Sequence, residues 1–376
     1  MSVQSQRFLS LDVFRGMTIC FMIIVNTPGA GAPPFAPLEH AKWHGFTPTD
    51  LVFPSFLFAV GNAMSFSLEK YRQISNSSFL RKILKRTILI FLIGYLMYWF
   101  PFFRVQNGEI VSAPISQTRI MGVLQRIALC YFFGSLLIHY FSTKKVVIIS
   151  VLLLIGYWII LLLFGDPADP YSMLGNAGTY LDKFLMGDDH LYHGEGVAFD
   201  PEGWLSTMPA IVNVVIGYYA GKYIKDNGKG YETISKLMLS GSLLIFIALC
   251  WSMAFPINKK LWSSPFVLLT TGIDLLLIAA LVFILEIKNW NNGNWPNFFL
   301  VLGKNPLFIY ILSEILVIIL YMIPFRTENL HSWISKDVFQ STAPGPIGSF
   351  LFAFVFMLVC WSVGWWMNKR RIYVKV

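Results

Sequence analysis

The residues able to do chemistry gather in one stretch near the start of the chain. It runs Ser10-Leu11-Asp12-Val13-Phe14-Arg15-Gly16, then Val25-Asn26, then Leu38-Glu39-His40-Ala41-Lys42-Trp43-His44-Gly45, and closes with Thr47-Pro48-Thr49-Asp50. An imidazole titrates near neutral pH, which suits His40 to moving protons, but position alone does not separate a catalytic histidine from an incidental one in a loop. If the stretch were helical, His40 and His44 would share a face, as a metal site requires. Gly45 and Pro48 argue against a long helix, and two histidines would still need further ligands, so no metal is expected. Thr47 and Asp50 match a capping box with Pro48 at the first helical position, the signature of a helix start. Asp50 can serve as that cap, orient a neighbouring imidazole, or do both. Asp12 and Arg15, three apart, share a helix face, where an ion pair would ease entry into a bilayer.

The elements that must position these residues are apolar helices. Of 376 residues 56% are hydrophobic and 13% charged, and the mean hydropathy is +0.60, against roughly 25% charged in ordinary soluble domains. Runs long enough to cross a bilayer lie near 12–28, 50–68, 83–101, 121–141, 145–164, 204–224, 234–254, 264–286, 297–323 and 347–367. The expected fold class is all-α: a polytopic integral membrane protein of about ten transmembrane helices, one domain over 1–376, its first span retained. Cys20, Cys130, Cys250 and Cys360 fall inside apolar runs without metal or redox spacing and read as small core residues.

The N-terminus, the even-numbered loops and the C-terminus hold more than twice the Lys and Arg of the odd-numbered loops. By the positive-inside rule both termini face the cytoplasm. The net charge of +9 is then a topology signal, and no basic domain exists to bind nucleic acid. Two external segments, about 28–49 and 165–203, are too long to be simple connectors. The second carries eight acidic residues against Lys183 alone. Polar groups within or beside the spans are Asn62, Arg119, Gln125, Arg126, Asp274, Glu286, Lys304, Asn305 and Glu314. Arg126 and Asp274 lie deepest, and either pair between helices or line a polar cavity.

The run LDVFRG, then VN, then LEHAKWHGFTPTDLVFPSFLFAVGNAMS, closely resembles the start of the membrane domain of the heparan-α-glucosaminide N-acetyltransferase family, lysosomal transmembrane acyltransferases with bacterial relatives. RIMGVLQRIALCY at 119–131, FDPEGWLSTMPAI at 199–211, LWSSPFVLLTTG at 261–272 and VLGKNPLFIY at 301–310 extend the likeness along nearly the whole chain. The sequence begins almost directly at LDVFRG. The luminal domain and extra span that precede this motif in the lysosomal enzyme are therefore not expected here, and heparan sulfate itself is not the expected acceptor.

The resemblance implies transfer of an acetyl group from cytosolic acetyl-CoA to the amine of a glucosamine-type sugar or glycan across the membrane. In a bacterium that places the catalytic loop on the periplasmic or external side of the cytoplasmic membrane. Motif alignment puts the family's luminal histidine on His40 and its nearby asparagine on Asn26. His40 would take the amine's proton, Asn26 would donate to the oxyanion, and Glu39 or Asp50 would hold the imidazole tautomer. Direct transfer and an acetyl-histidine intermediate both fit these residues. The phosphates of coenzyme A call for Arg126, Lys304, Asn305, Arg15 or Arg86, though positive-inside anchoring explains several of these equally. Trp43, His44, Asp200 and Glu202, with Asp182, His190 and His193, are candidates to meet a cationic sugar or simply to be solvated. The family also suggests a homodimer. A sugar or small-molecule transporter is the rival reading.

Overall fold

The computed structural model describes residues 8–71, 74–106, 109–291 and 293–374. Arg7, Arg72 and Lys375, counted among the basic residues above, lie outside the described residues. Thirteen α-helices follow in order among the described residues: α1 (Leu9–Asn26), α2 (Val52–Tyr71), α3 (Asn76–Trp99), α4 (Val123–Tyr140), α5 (Thr143–Phe164), α6 (Ala177–Met186), α7 (Thr207–Asn227), α8 (Tyr231–Trp251), α9 (Ser264–Val282), α10 (Trp295–Lys304), α11 (Pro306–Met322), α12 (Leu330–Trp333) and α13 (Pro346–Lys369). Two small hairpins, 103–112 and 324–329, hold the only strands among the described residues.

Seven of these helices are long and apolar enough to cross a membrane, and α10 with α11 makes an eighth if the bent pair is one span. The protein is therefore an all-α polytopic membrane protein. Each of the ten ranges read from the sequence overlaps one long helix or the bent pair, eight of them a candidate span. The two that fall short on apolarity are α3, 24 residues with Arg81, Lys82, Lys85 and Arg86 near its start, and α7, 21 residues ending in Lys222 and Lys225.

The bent pair turns through 82° between Lys304 and Pro306. Pro306 has no N–H to continue the helix and pushes Asn305 out of the helical region, to φ −130° and ψ 51°. The polar groups freed at the break find partners in the chain after α13. Asn305 Nδ2 donates to Ile372 O at 3.0 Å, Val374 N donates to Asn305 Oδ1 at 2.9 Å, and Lys304 Nζ donates to Asn368 Oδ1 at 2.9 Å.

Apolar surface cannot drive helices together in lipid, so close packing must, and glycine allows it. A Cβ at Gly61 of α2 would stand 2.0 Å from the Val214 carbonyl oxygen of α7, and one at Gly217 of α7 2.2 Å from that of Phe58. Gly16 with Gly303 joins α1 to α10, and Gly241 with Gly272 joins α8 to α9, in the same way. Cys20, Cys130 and Cys360 are buried in the bundle, but Cys250 is exposed. It lies on α8, whose outward face is apolar because lipid can cover it, so an apolar run does not imply a core position.

The two long segments knit together at one end of the bundle. Trp43 Nε1 donates to Tyr171 O at 3.0 Å, Gly45 N to Ile257 O at 2.8 Å, and Lys260 Nζ to both Lys42 O (3.0 Å) and Glu195 Oε2 (2.7 Å).

Candidate active site

The capping box read from Thr47 and Asp50 is present: Thr47 N donates to Asp50 Oδ2 at 2.9 Å, starting the turn Pro48–Leu51 that leads into α2. Asp50 is fully buried, and its other oxygen meets His40 Nδ1 at 2.7 Å. Ala41 N, at 3.2 Å, ties the His40 loop to the same carboxylate. A carboxylate only accepts hydrogen bonds here, so Nδ1 carries a proton, and in the neutral ring Nε2 presents its lone pair. Glu39 is exposed and takes no part in this pair. Its backbone carbonyl accepts from Thr47 Oγ1.

His40 lines a small cavity of about 60 Å³ with Asn26, Thr49, Phe53, Val123, Glu202 and Lys259. Asn26, at the end of α1, donates to Glu314 Oε1 of α11 at 3.2 Å. Arg119 binds both oxygens of Asp200, at 2.9 and 2.7 Å, and Glu202 Oε2 at 2.6 Å, with its guanidinium over the rings of Tyr98 and Tyr192. Burial works against charge on Glu202, but Arg119, with help from Lys259 and Arg126, outweighs it and holds that carboxyl below its usual range. Burial lowers the pKa of Lys259, whose Nζ stands 3.3 Å from His40 Nε2.

Other candidates sit apart from this cavity. Trp43 packs edge-on against Phe199, and His44 Nδ1 faces Asn258 Nδ2 at 3.4 Å. Asp182 is buried and accepts from Trp204 N at 2.9 Å, and burial pushes its pKa up to about 7. His190 and His193 bond backbone carbonyls of Thr118 and Leu191. Of the acidic candidates for sugar contact, both Asp200 and Glu202 are held by Arg119, and only Glu202 lines the cavity. Among the described residues no group of three or more His, Cys, Asp or Glu is placed to hold a metal.

At the other end of α1 lies a second cavity, of about 210 Å³, with Arg15 and Arg86 both in its wall. Arg15 donates through Nε to Gly303 O at 2.7 Å and pairs with Asp12 at 2.9 Å. The Arg86 guanidinium lies 4.6 Å from the Tyr131 ring centre. Pro306 and Leu307 complete the wall beside the helix break, close to Lys304 and Asn305, whose own side chains are engaged by the chain after α13. Arg126 is not at this end. Fully buried, it donates to Gly203 O at 3.1 Å and to Ser206 Oγ, and its guanidinium lies 4.8 Å from the Trp262 ring centre. It packs under the acidic segment, because α4 begins on the His40 side and position 126 lies in its first turn. Asp274 accepts instead from Ser55 Oγ, so Arg126 and Asp274 do not pair.

The two cavities share helix faces. Phe53 lines the first and Phe56 the second, one turn on along α2, and Val123 and Ile127 stand in the same relation on α4. From Asn26 back to Arg15, α1 advances about 16 Å at about 1.5 Å per residue. The His40–Asp50 pair thus lies towards one end of these helix faces and the Arg15 and Arg86 guanidinium groups towards the other.

A family model described as the catalytic region of heparan-α-glucosaminide N-acetyltransferase matches residues 7–188. Heparan-α-glucosaminide N-acetyltransferase of Mus musculus is 29% identical over 368 residues, covering 83% of this chain and 54% of the mouse protein. The Homo sapiens protein of that name is 28% identical over 373 residues, covering 84% and 54%. The chain spans about half the length of the curated relatives it matches. The likeness read from the motif runs is borne out along most of the chain.

Proposed function

We propose that this chain is a transmembrane acetyltransferase that takes an acetyl group from acetyl-CoA at the Arg15 and Arg86 end and delivers it to the amine of a glucosamine-type sugar at the His40 end. The observation that carries this reading is the placing of His40, paired with Asp50, at one cavity and of the Arg15 and Arg86 guanidinium groups at another, the two cavities being lined by successive turns of α2 and α4. Arg15 and Arg86 suit the phosphates of coenzyme A, since a planar guanidinium binds phosphate oxygens through two parallel N–H bonds. The apolar walls from Phe56 to Phe53 suit the thin pantetheine arm, which carries the thioester towards His40.

At the His40 end the acceptor amine attacks the thioester carbonyl and His40 Nε2 takes its proton. Asn26 donates to the oxyanion, the C–S bond breaks, and His40 passes the proton to the departing sulfur, which leaves as the thiol. Asp50 keeps the tautomer and stabilises the imidazolium as it forms. Glu202 supplies the negative charge that draws a cationic sugar, while Trp43 and His44 stand outside the cavity and support the loop that carries His40. Lys304 and Asn305 act on the donor side by holding the helix break, and Arg126 acts by anchoring the acidic segment. The excess of basic loops at the Arg15 end supports a cytoplasmic donor side, and a periplasmic or external acceptor side in the cytoplasmic membrane of a bacterium.

The broken α10–α11 pair is a feature that transporters also use. Here its freed polar groups are occupied by the chain's own residues 368–374, which favours the transferase reading over the transporter one.

The test is acetyl transfer from labelled acetyl-CoA to a panel of amino sugars by detergent-purified protein. Label is expected on glucosamine or a glucosaminide with wild type and at least about a hundredfold less with His40→Ala. Arg15→Ala and Arg86→Ala are each expected to weaken acetyl-CoA binding about tenfold, the loss of one charge-assisted contact, with Arg126→Ala leaving that affinity unchanged. Failure to bind acetyl-CoA or to label any acceptor would overturn the reading.

A further inference from the structure

Lys259 meets His40 from the far side of the sequence, on the loop between α8 and α9. Its Nζ stands 3.3 Å from His40 Nε2, and its side chain lines the same small cavity as Asn26 and Glu202. The loop that presents it is tightly built. Asn258, fully buried, accepts from Leu261 N at 2.8 Å and donates from its own N to Ser263 Oγ at 3.0 Å. Trp262, also fully buried, holds a left-handed φ of +54° and donates from its indole to Asn213 Oδ1 at 3.0 Å. A bulky residue keeps that conformation only where its surroundings impose it, and such residues cluster at functional sites.

The position of Lys259 Nζ is the one an acceptor amine must take for His40 to remove its proton. Nε2 carries the lone pair, because Nδ1 is committed to Asp50, and Lys259 is the donor that lone pair now meets. Resting on the acetyltransferase reading above, we propose that Lys259 occupies the acceptor position when no amino sugar is bound and is itself acetylated there by the acetyl thioester. The product, Nε-acetyl-Lys259, is a self-modification that closes the site.

The chemistry is that of the proposed reaction with a resident amine. One proton of the ammonium leaves through His40 to solvent, and the neutral nitrogen attacks the thioester carbonyl. The C–N amide bond forms, the C–S bond breaks, and the second proton, taken from the attacking nitrogen, ends on the departing sulfur. No oxidant or metal is needed. Burial lowers the Lys259 pKa by more than Glu202 and Asp50 raise it, which favours the neutral amine. An acetylated lysine no longer carries the proton or the charge, and its acyl group fills a cavity of only about 60 Å³.

The experiment incubates the full chain, purified in detergent, with acetyl-CoA alone and with acetyl-CoA plus excess glucosamine, followed by peptide mapping by mass spectrometry. Acetylation is expected to accumulate on Lys259 ahead of its neighbours Lys42 and Lys260, to be suppressed by glucosamine, and to be at least about a hundredfold slower in His40→Ala. Preincubation with acetyl-CoA is expected to erode transfer activity progressively in wild type and not in Lys259→Arg. An unmodified Lys259 in a preparation that does acetylate glucosamine would overturn this inference and leave the transferase reading standing. Equal acetylation of Lys259 in wild type and His40→Ala would mark ordinary chemical acetylation and also overturn it. If neither lysine nor sugar is acetylated, the transferase reading fails and this inference with it.

Discussion

The Asp50 carboxylate does two jobs at once. Oδ2 caps the turn into α2 through Thr47 N, and Oδ1 holds His40 Nδ1. Asp50→Asn separates them: its amide oxygen can still cap, but its NH₂ would face Nδ1 and select the tautomer with the proton on Nε2. Acetyl transfer is expected to fall at least about a hundredfold, with a stability loss of about 1 kcal/mol or less, and loss of folded protein instead would show the residue to be mainly a cap. Asp182 offers a pH test. Its folded pKa of about 7 exceeds the usual value near ~4, so the folded chain keeps a proton that the unfolded chain has lost, and stability falls as pH rises from about 4 through about 7. Asp182→Asn removes that titration, so its melting temperature should exceed wild type by more at about pH 8 than at about pH 5. An equal difference at both pH values would refute the assignment. The capping motif made Asp50 legible in the sequence, and its second bond fell within reach because His40 is close by in the chain. Lys259 was not legible: it counted as one of several basic loop residues, and nothing local ties it to a histidine 219 positions away. Glu314 stood out as a polar residue in an apolar run, but its partner Asn26 lies 288 positions off.

At the scale of elements, hydropathy alone located the long helices, because a bilayer asks for a length and a composition that few other structures satisfy. What it could not give is which helices touch. The glycine pairs decide that, and their spacing within each helix says nothing about the partner. Gly61→Val is expected to destabilise the α2–α7 crossing by about 1–3 kcal/mol or more, because backbone rather than a movable side chain blocks the new methyls. Gly156 in α5, where an added Cβ would meet nothing within 4 Å, supplies the control: Gly156→Ala should be neutral or stabilising by up to about 1 kcal/mol. Melting temperatures of the two purified variants would decide, and equal tolerance would mean that α2 and α7 are not packed through this glycine. The helix break did leave a mark in the sequence, since Asn305-Pro306 inside an apolar run is a breaker signal. Its 82° angle was not readable, because it depends on what α11 packs against.

For the whole molecule, the sidedness that the proposed reaction needs has a direct test. In a background with all four cysteines replaced by alanine, Asp189→Cys and Glu232→Cys put one thiol at each end of the bundle, both at exposed positions. In intact cells a membrane-impermeant maleimide should label Asp189→Cys and spare Glu232→Cys, and the opposite pattern would reverse the orientation and with it the roles of the two cavities. The charge bias that predicts this orientation is spread over many loops, so it is legible without any knowledge of the fold. The cavities were not, because each needs side chains from helices far apart in the chain. The clasp between Asn305 and residues 368–374 bears on how such a chain is assembled. Those residues leave the ribosome after α13, so the bend beside the Arg15 and Arg86 cavity can be locked only when nearly every helix is already in the bilayer. The Arg15 and Arg86 end of the molecule is thus the last part to take its final shape.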